Sequence, residues 1–128
     1  WVKLVANCAM NPVSAIGRSR YGRMIDDAPT RDLLRMVVQE CVDVARADGV
    51  ALPAAHTLHS AVLELGEAMR AASSSTAQDL DAGRPTEIDA LNGYVAQRAD
   101  ALGVSAPVNR TLHTLVKLVE AGVIASQT

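Results

Sequence analysis

The sequence predicts an all-α domain, and three observations carry that expectation. Aromatic residues make up only 2% of the chain, with no Phe, while hydrophobic residues make up 49%. Apolar positions recur at three- and four-residue spacing, and few runs show the alternation that a half-buried strand needs. At 128 residues the chain is long enough for one domain around one core.

The opening segment, with Val2, Leu4, Val5, Ala6, Cys8, Ala9 and Met10, is apolar on most sides and is expected to be a helix reaching Pro12. Trp1 begins in mid-pattern with no Ser, Thr, Asp or Asn ahead of it as a cap, so the chain reads as cut from a longer one. Gly17, Gly22 and residues 26–29 break the periodicity and predict a loop or short irregular turns. Thr30 then serves as N-cap of a second helix. Its apolar face is Leu33, Leu34, Val37, Val38, Cys41, Val42, Val44 and Ala45, and Gly49 is its stop. Pro53 opens a third helix through Leu58, Val62, Leu65 and Met69 to about Ala72.

Ser73-Ser74-Ser75-Thr76 reads as a flexible linker, or alternatively as hydroxyls at a helix N-terminus. Residues 81–85 are turn chemistry. Thr86 and Asp89 stand at capping-box spacing and start a fourth major helix, carrying Ile88, Leu91, Val95 and Leu102 to a stop at Gly103. A last helix runs from about Pro107 through Leu112, Leu115, Val116 and Val119 to near Gly122. No internal repeat is present at a fixed period.

A formal net charge of -2, with acids and bases interspersed, gives no basic run for nucleic acid or an anionic membrane. No apolar stretch approaches the ~18–20 residues of a membrane span, and no secretory leader pattern is seen. A soluble, cytoplasmic protein is expected. Cys8 and Cys41 fall on apolar helix faces as small hydrophobes, the simple reading being a reduced pair. His56 and His59 are three apart, yet no third ligand completes a metal site, and none is expected. Gly-x-Gly-x-x-Gly, Gly-x-x-x-x-Gly-Lys-Ser/Thr and Gly-x-Ser-x-Gly are all absent, so this stretch has neither common phosphate cradle nor a nucleophile elbow.

The most informative pattern is polar. Lys3, Asn7 and Asn11 are spaced four apart in the apolar opening helix, which lines their heads up within about 80° of one face. A cation and two amides on a helix that packs on most sides need partners, because an unsatisfied buried polar group costs about 1–3 kcal/mol. The partners are either other side chains or a polar ligand. Glu87, in the first turn of the fourth helix, is set either to favour the helix dipole or to pair with a lysine from elsewhere.

Taken together and in order, the run from Trp1 to Pro12, then Ser74-Ser75-Thr76-Ala77-Gln78-Asp79, then Gly83-Arg84-Pro85-Thr86-Glu87-Ile88-Asp89-Ala90-Leu91-Asn92-Gly93, resemble the C-terminal domain of the ketopantoate reductase (2-dehydropantoate 2-reductase) family. Pro107, Asn109 and Glu120 extend the likeness toward the end of the chain. The resemblance implies a helical domain of the 6-phosphogluconate dehydrogenase C-terminal-like type spanning residues 1–128. It implies an enzyme that reduces ketopantoate to pantoate with NADPH on the route to pantothenate and coenzyme A. The cofactor would be bound mainly by an N-terminal Rossmann domain outside this chain, and the active site would lie between the two. Lys3 matches the family's lysine, the general acid; Asn7, Asn11 and Ser75 match substrate-positioning residues. Glu87 matches a glutamate that orients the lysine or contacts substrate or cofactor hydroxyls.

Where the family often reads Ser-Ser-Met-Leu-Gln-Asp, this chain has Thr76-Ala77 in place of Met-Leu, which points to a smaller, more polar pocket wall and leaves the keto acid open. The partners implied are a small 2-keto acid and a second copy in a homodimer, and the chain alone is expected to be inactive. The other reading from the residues is a non-catalytic helical interaction or dimerisation module.

Overall fold

The computed structural model describes residues 1–127, and every regular element among them is helical, as expected. In chain order these are α1 (Val2–Gly17), α2 (Tyr21–Asp26), α3 (Ala28–Ala47), α4 (Ala55–Ala68), α5 (Ser75–Asp81), a 3-10 turn (Ile88–Ala90), α6 (Asn92–Leu102) and α7 (Pro107–Ala125). α1 is the axis of the molecule. It packs against α3, α4, α5 and α7, and it sends Val5, Cys8, Ala9 and Met10 into the core. Leu34, Val37, Val38 and Cys41 of α3, Leu58 and Val62 of α4, Val95 and Ala99 of α6, and Leu112 of α7 complete one hydrophobic cluster.

Several boundaries differ from the sequence expectation, each for a local reason. α1 does not stop at Pro12 but continues to Gly17, and the chain then turns at Arg18 with φ 48°. Left-handed backbone is unfavourable for a non-glycine residue by roughly 1–2 kcal/mol; here Ser19 N–H donates to Ser14 O at 3.0 Å and the Ser14 hydroxyl donates to Ser19 O at 2.9 Å, which closes the cap. The expected loop after it contains the short helix α2. α3 is capped by Asp27 instead of Thr30: the Asp27 carboxylate accepts from Thr30 N–H at 3.1 Å and Thr30 Oγ1–H at 2.6 Å. Thr30 lies one turn inside. Gly49 does end this helix, with φ 79°.

α4 begins at Ala55, two residues past Pro53, and ends at Ala68. Its Gly66 lets α2 approach closely, since a Cβ there would lie 2.7 Å from Ile25 Cγ2. Residues 73–76 are not a linker: Ser74 is the N-cap of α5, and Ser74 and Thr76 are buried. The Thr86/Asp89 capping box does not form, and a 3-10 turn precedes α6. Pro107 and Asn109 lie within the first turn of α7, which runs past Gly122 to Ala125.

Candidate functional site on the first helix

The polar stripe of α1 descends from solvent into the protein. Lys3 is exposed, Asn7 half-buried and Asn11 only 6% exposed. Among the described residues no hydrogen bond or ion pair engages the Lys3 ammonium or either side-chain amide, and the polar atoms of Asn11 are not sealed from solvent. Of the two routes that the sequence left open, this leaves no answer from other side chains among the described residues.

The start of α5 is fastened to the deep end of the stripe. Ser74 Oγ donates to Asn11 O at 3.1 Å and accepts from Ala77 N–H at 3.1 Å, while Ser74 N–H donates to Ser14 Oγ at 3.1 Å. One serine thus caps α5 and docks it on α1. Ser75 follows directly, exposed, with its hydroxyl unpartnered among the described residues. The chain therefore brings Asn11 and Ser75 to one neighbourhood through Ser74, whose place at a helix N-terminus is the second of the two readings of the serine run, and whose bond to Asn11 O no local pattern announces. Glu87 is exposed just before the 3-10 turn, and no ion pair joins it to Lys3 among the described residues.

A buried polar network also holds the backbone of α1. Pro12 has no N–H to give to Cys8 O, four residues back in the helix ladder. Asn92 Nδ2 donates to that carbonyl at 3.0 Å and to Asn109 Oδ1 at 3.0 Å. Asn109 Nδ2 donates to Glu40 Oε1 at 2.9 Å, and the Glu40 carboxylate caps α7 by accepting from Val108 N–H at 3.0 Å and Asn109 N–H at 2.9 Å. Asn92 and Asn109 are both fully buried.

A second cluster ties the 3-10 turn to α7. Glu120 Oε2 accepts from Thr86 N–H at 2.9 Å and Thr86 Oγ1–H at 2.6 Å; Lys117 Nζ reaches Glu120 Oε1 and Asp89 Oδ2, each at 3.3 Å. Asp89 Oδ1 also meets His113 Nε2 at 2.7 Å, so Asp89 faces α7 instead of capping its own helix. Burial pushes the Glu120 carboxyl up, but the Thr86 donors and Lys117 outweigh it and hold it below its ordinary value. His113 and then Lys117 hold Asp89 low, and the two carboxylates raise Lys117.

Two open clefts, of about 400 and 470 Å³, lie elsewhere, and neither is lined by Lys3, Asn7, Asn11, Ser75 or Glu87. No group of three or more His, Cys, Asp or Glu side chains that could hold a metal occurs among the described residues. The stripe presents an exposed cation, a half-buried amide and a buried amide, with the exposed Ser75 hydroxyl next in sequence to the serine docked at its deep end, a donor-rich set suited to a carboxylate and an adjacent carbonyl.

A family model described as the C-terminal domain of ketopantoate reductase PanE/ApbA matches residues 1–120. The chain belongs to that family. Among ketopantoate reductase relatives, the 2-dehydropantoate 2-reductase of Pyrobaculum aerophilum is 38% identical over 117 residues, covering 91% of this chain and 41% of the relative. A solved PanE/ApbA family ketopantoate reductase from Ralstonia eutropha superposes with a TM-score of 0.90 at 46% identity, over 96% of this chain and 41% of that one. A D-mandelate dehydrogenase solved with NADH and anilino(oxo)acetate superposes equally well, TM-score 0.90, at 22% identity over 95% of this chain and 40% of its own, which speaks to the fold alone. The chain thus spans about two fifths of the length of these relatives. No described helix is long and apolar enough to cross a membrane.

Proposed function

We propose that this chain is the substrate-binding half of an NADPH-dependent 2-dehydropantoate 2-reductase, with Lys3 as general acid and Asn7, Asn11 and Ser75 holding the keto acid. The observation that carries the reading is the stripe itself: three polar heads in line on a packed helix, within the stretch matched by the family model, with no side-chain partner among the described residues. The cofactor, held by the remainder of the protein, supplies the hydride.

What this chain supplies is position and a proton. Reduction of a ketone leaves negative charge on its oxygen, and a lysine ammonium placed there stabilises that charge and donates a proton to it. Amides at Asn7 and Asn11 hydrogen-bond the carboxylate and carbonyl, and the Ser75 hydroxyl grips the polar end, which fixes the carbonyl face toward attack. Glu87, whose carboxylate has no partner among the described residues, is in this scheme the group that orients Lys3 or meets a cofactor or substrate hydroxyl.

The test is NADPH oxidation by the protein carrying its dinucleotide-binding domain, with ketopantoate against a panel of other 2-keto acids. Ketopantoate should be turned over with the highest kcat/KM, and Lys3→Ala should lower turnover by about 10²–10⁴-fold. Unchanged turnover in that variant would remove the role from Lys3, and preference for another keto acid would move the substrate while keeping the reaction.

A further inference from the structure

We propose that Asn92 is a positioning residue for the substrate face of α1: its amide replaces the backbone N–H that Pro12 lacks and thereby fixes the turn carrying Asn7 and Asn11. The inference rests on the function proposed above. In an uninterrupted helix Cys8 O would accept from the N–H of residue 12, and a proline there both removes the donor and crowds that carbonyl. Cys8 and Pro12 are buried, so water is a poor substitute. Asn92 Nδ2 fills the vacancy in the ladder at 3.0 Å.

The rest of the network makes that donor a fixed reference point. One Nδ2 proton goes to Cys8 O and the other to Asn109 Oδ1, whose own amide and backbone are held by Glu40 of α3. The Asn92 side chain is therefore set by two other helices before it meets α1. Its Oδ1 is buried without a partner among the described residues. The hydrogen bonds of the Asn92 side chain are thus both donations, to Cys8 O and Asn109 Oδ1. Asn7 precedes Cys8 and Asn11 precedes Pro12, so the missing ladder bond falls between the two proposed substrate amides. Their relative placement is set by Asn92 at Cys8 O and by Ser74 at Asn11 O.

The decisive experiment exploits the proline. In the protein carrying its dinucleotide-binding domain, Asn92→Ala should lower kcat with the keto acid by about tenfold or more per folded molecule, as misplacement of binding groups does, and leave the KM for NADPH unchanged. Pro12→Ala returns an N–H to Cys8 O, so the double variant should recover to within about threefold of Pro12→Ala alone, a strong departure from additivity. Wild-type kcat and KM in Asn92→Ala, or a double variant no better than that single one, would overturn the proposal. Should Asn92→Ala fail to fold, the double variant decides: folded and active supports the role of Asn92, unfolded refutes it. Amide hydrogen exchange gives a readout free of activity, with faster exchange in the 11–15 turn of α1 in Asn92→Ala and restored protection in the double variant. If the wild-type protein reduces no 2-keto acid, the proposed function fails, while the exchange pattern still reports on Asn92.

Discussion

Cys8 and Cys41 meet inside the core, both fully buried and unbridged. The Cys41 side chain and then burial push the Cys8 thiol well above its ordinary value, and the thiolate is the reactive form. A thiol reagent at pH 8 should therefore label neither cysteine in the native protein and both in denaturant; a fast-reacting thiol without denaturant would show that one of them reaches the surface. The same scale shows what a sequence can disclose about a site. Lys3, Asn7 and Asn11 were legible because helical periodicity is local, and four-residue spacing suffices to align them. Asn92 and Ser74 were not, because the atoms they serve, Cys8 O and Asn11 O, lie 84 and 63 residues away along the chain. Nothing in a run of serines distinguishes a mobile linker from a cap anchored on a distant carbonyl.

A strong apolar period, as in α3, predicts helix limits to within about two residues, whereas tertiary contacts override local rules elsewhere. Pro12 ordinarily interrupts a helix, yet α1 continues because Asn92 satisfies the freed carbonyl and Ser74 holds the neighbouring one. Thr86 and Asp89 fit a capping box, yet both turn toward α7, where Glu120, Lys117 and His113 offer stronger partners. That docking makes the stability of the segment depend on pH. Glu120 and Asp89 have folded pKa values below their ordinary 4.5 and 3.8, so the unfolded chain binds protons more readily; their contribution is complete above that range and is lost as pH falls through the lowered values. Lys117 is raised above its ordinary 10.5, so its share is complete below 10.5 and disappears as pH climbs through the raised value. Glu120→Gln should lower stability at pH 7 by about 1–2 kcal/mol and flatten the acid limb of Tm against pH. An acid limb identical to wild type would show that Glu120 is not the group that titrates.

At the scale of the whole molecule, the proposed site is open at its Lys3 end and closed in by the protein only at its Asn11 end. Small-molecule sites typically bury about 70–90% of a ligand in a concave pocket, but Lys3 stands exposed and the two open clefts are lined by other residues. The chain covers about two fifths of its relatives' length, and the proposed function assigns the opposing wall to the remainder. The residues that would grip the keto acid are ordered in advance: α1 is fixed by α6 through Asn92, itself held by Asn109 of α7 and Glu40 of α3, and by α5 through Ser74. Rigid donors without a second wall gain little from binding, because the carboxylate keeps its water and the interactions stay screened. Residues 1–128 alone should therefore show no thermal stabilisation by millimolar ketopantoate and no NADPH oxidation. The protein carrying the dinucleotide-binding domain should be stabilised by RT ln(1 + [L]/Kd), about 2.7 kcal/mol at one hundred times Kd. A thermal-shift titration of the two side by side measures the difference. A saturable rise in Tm for residues 1–128 that is abolished by Lys3→Ala would mean that the stripe already forms a complete binding site, and that the second wall serves the cofactor alone.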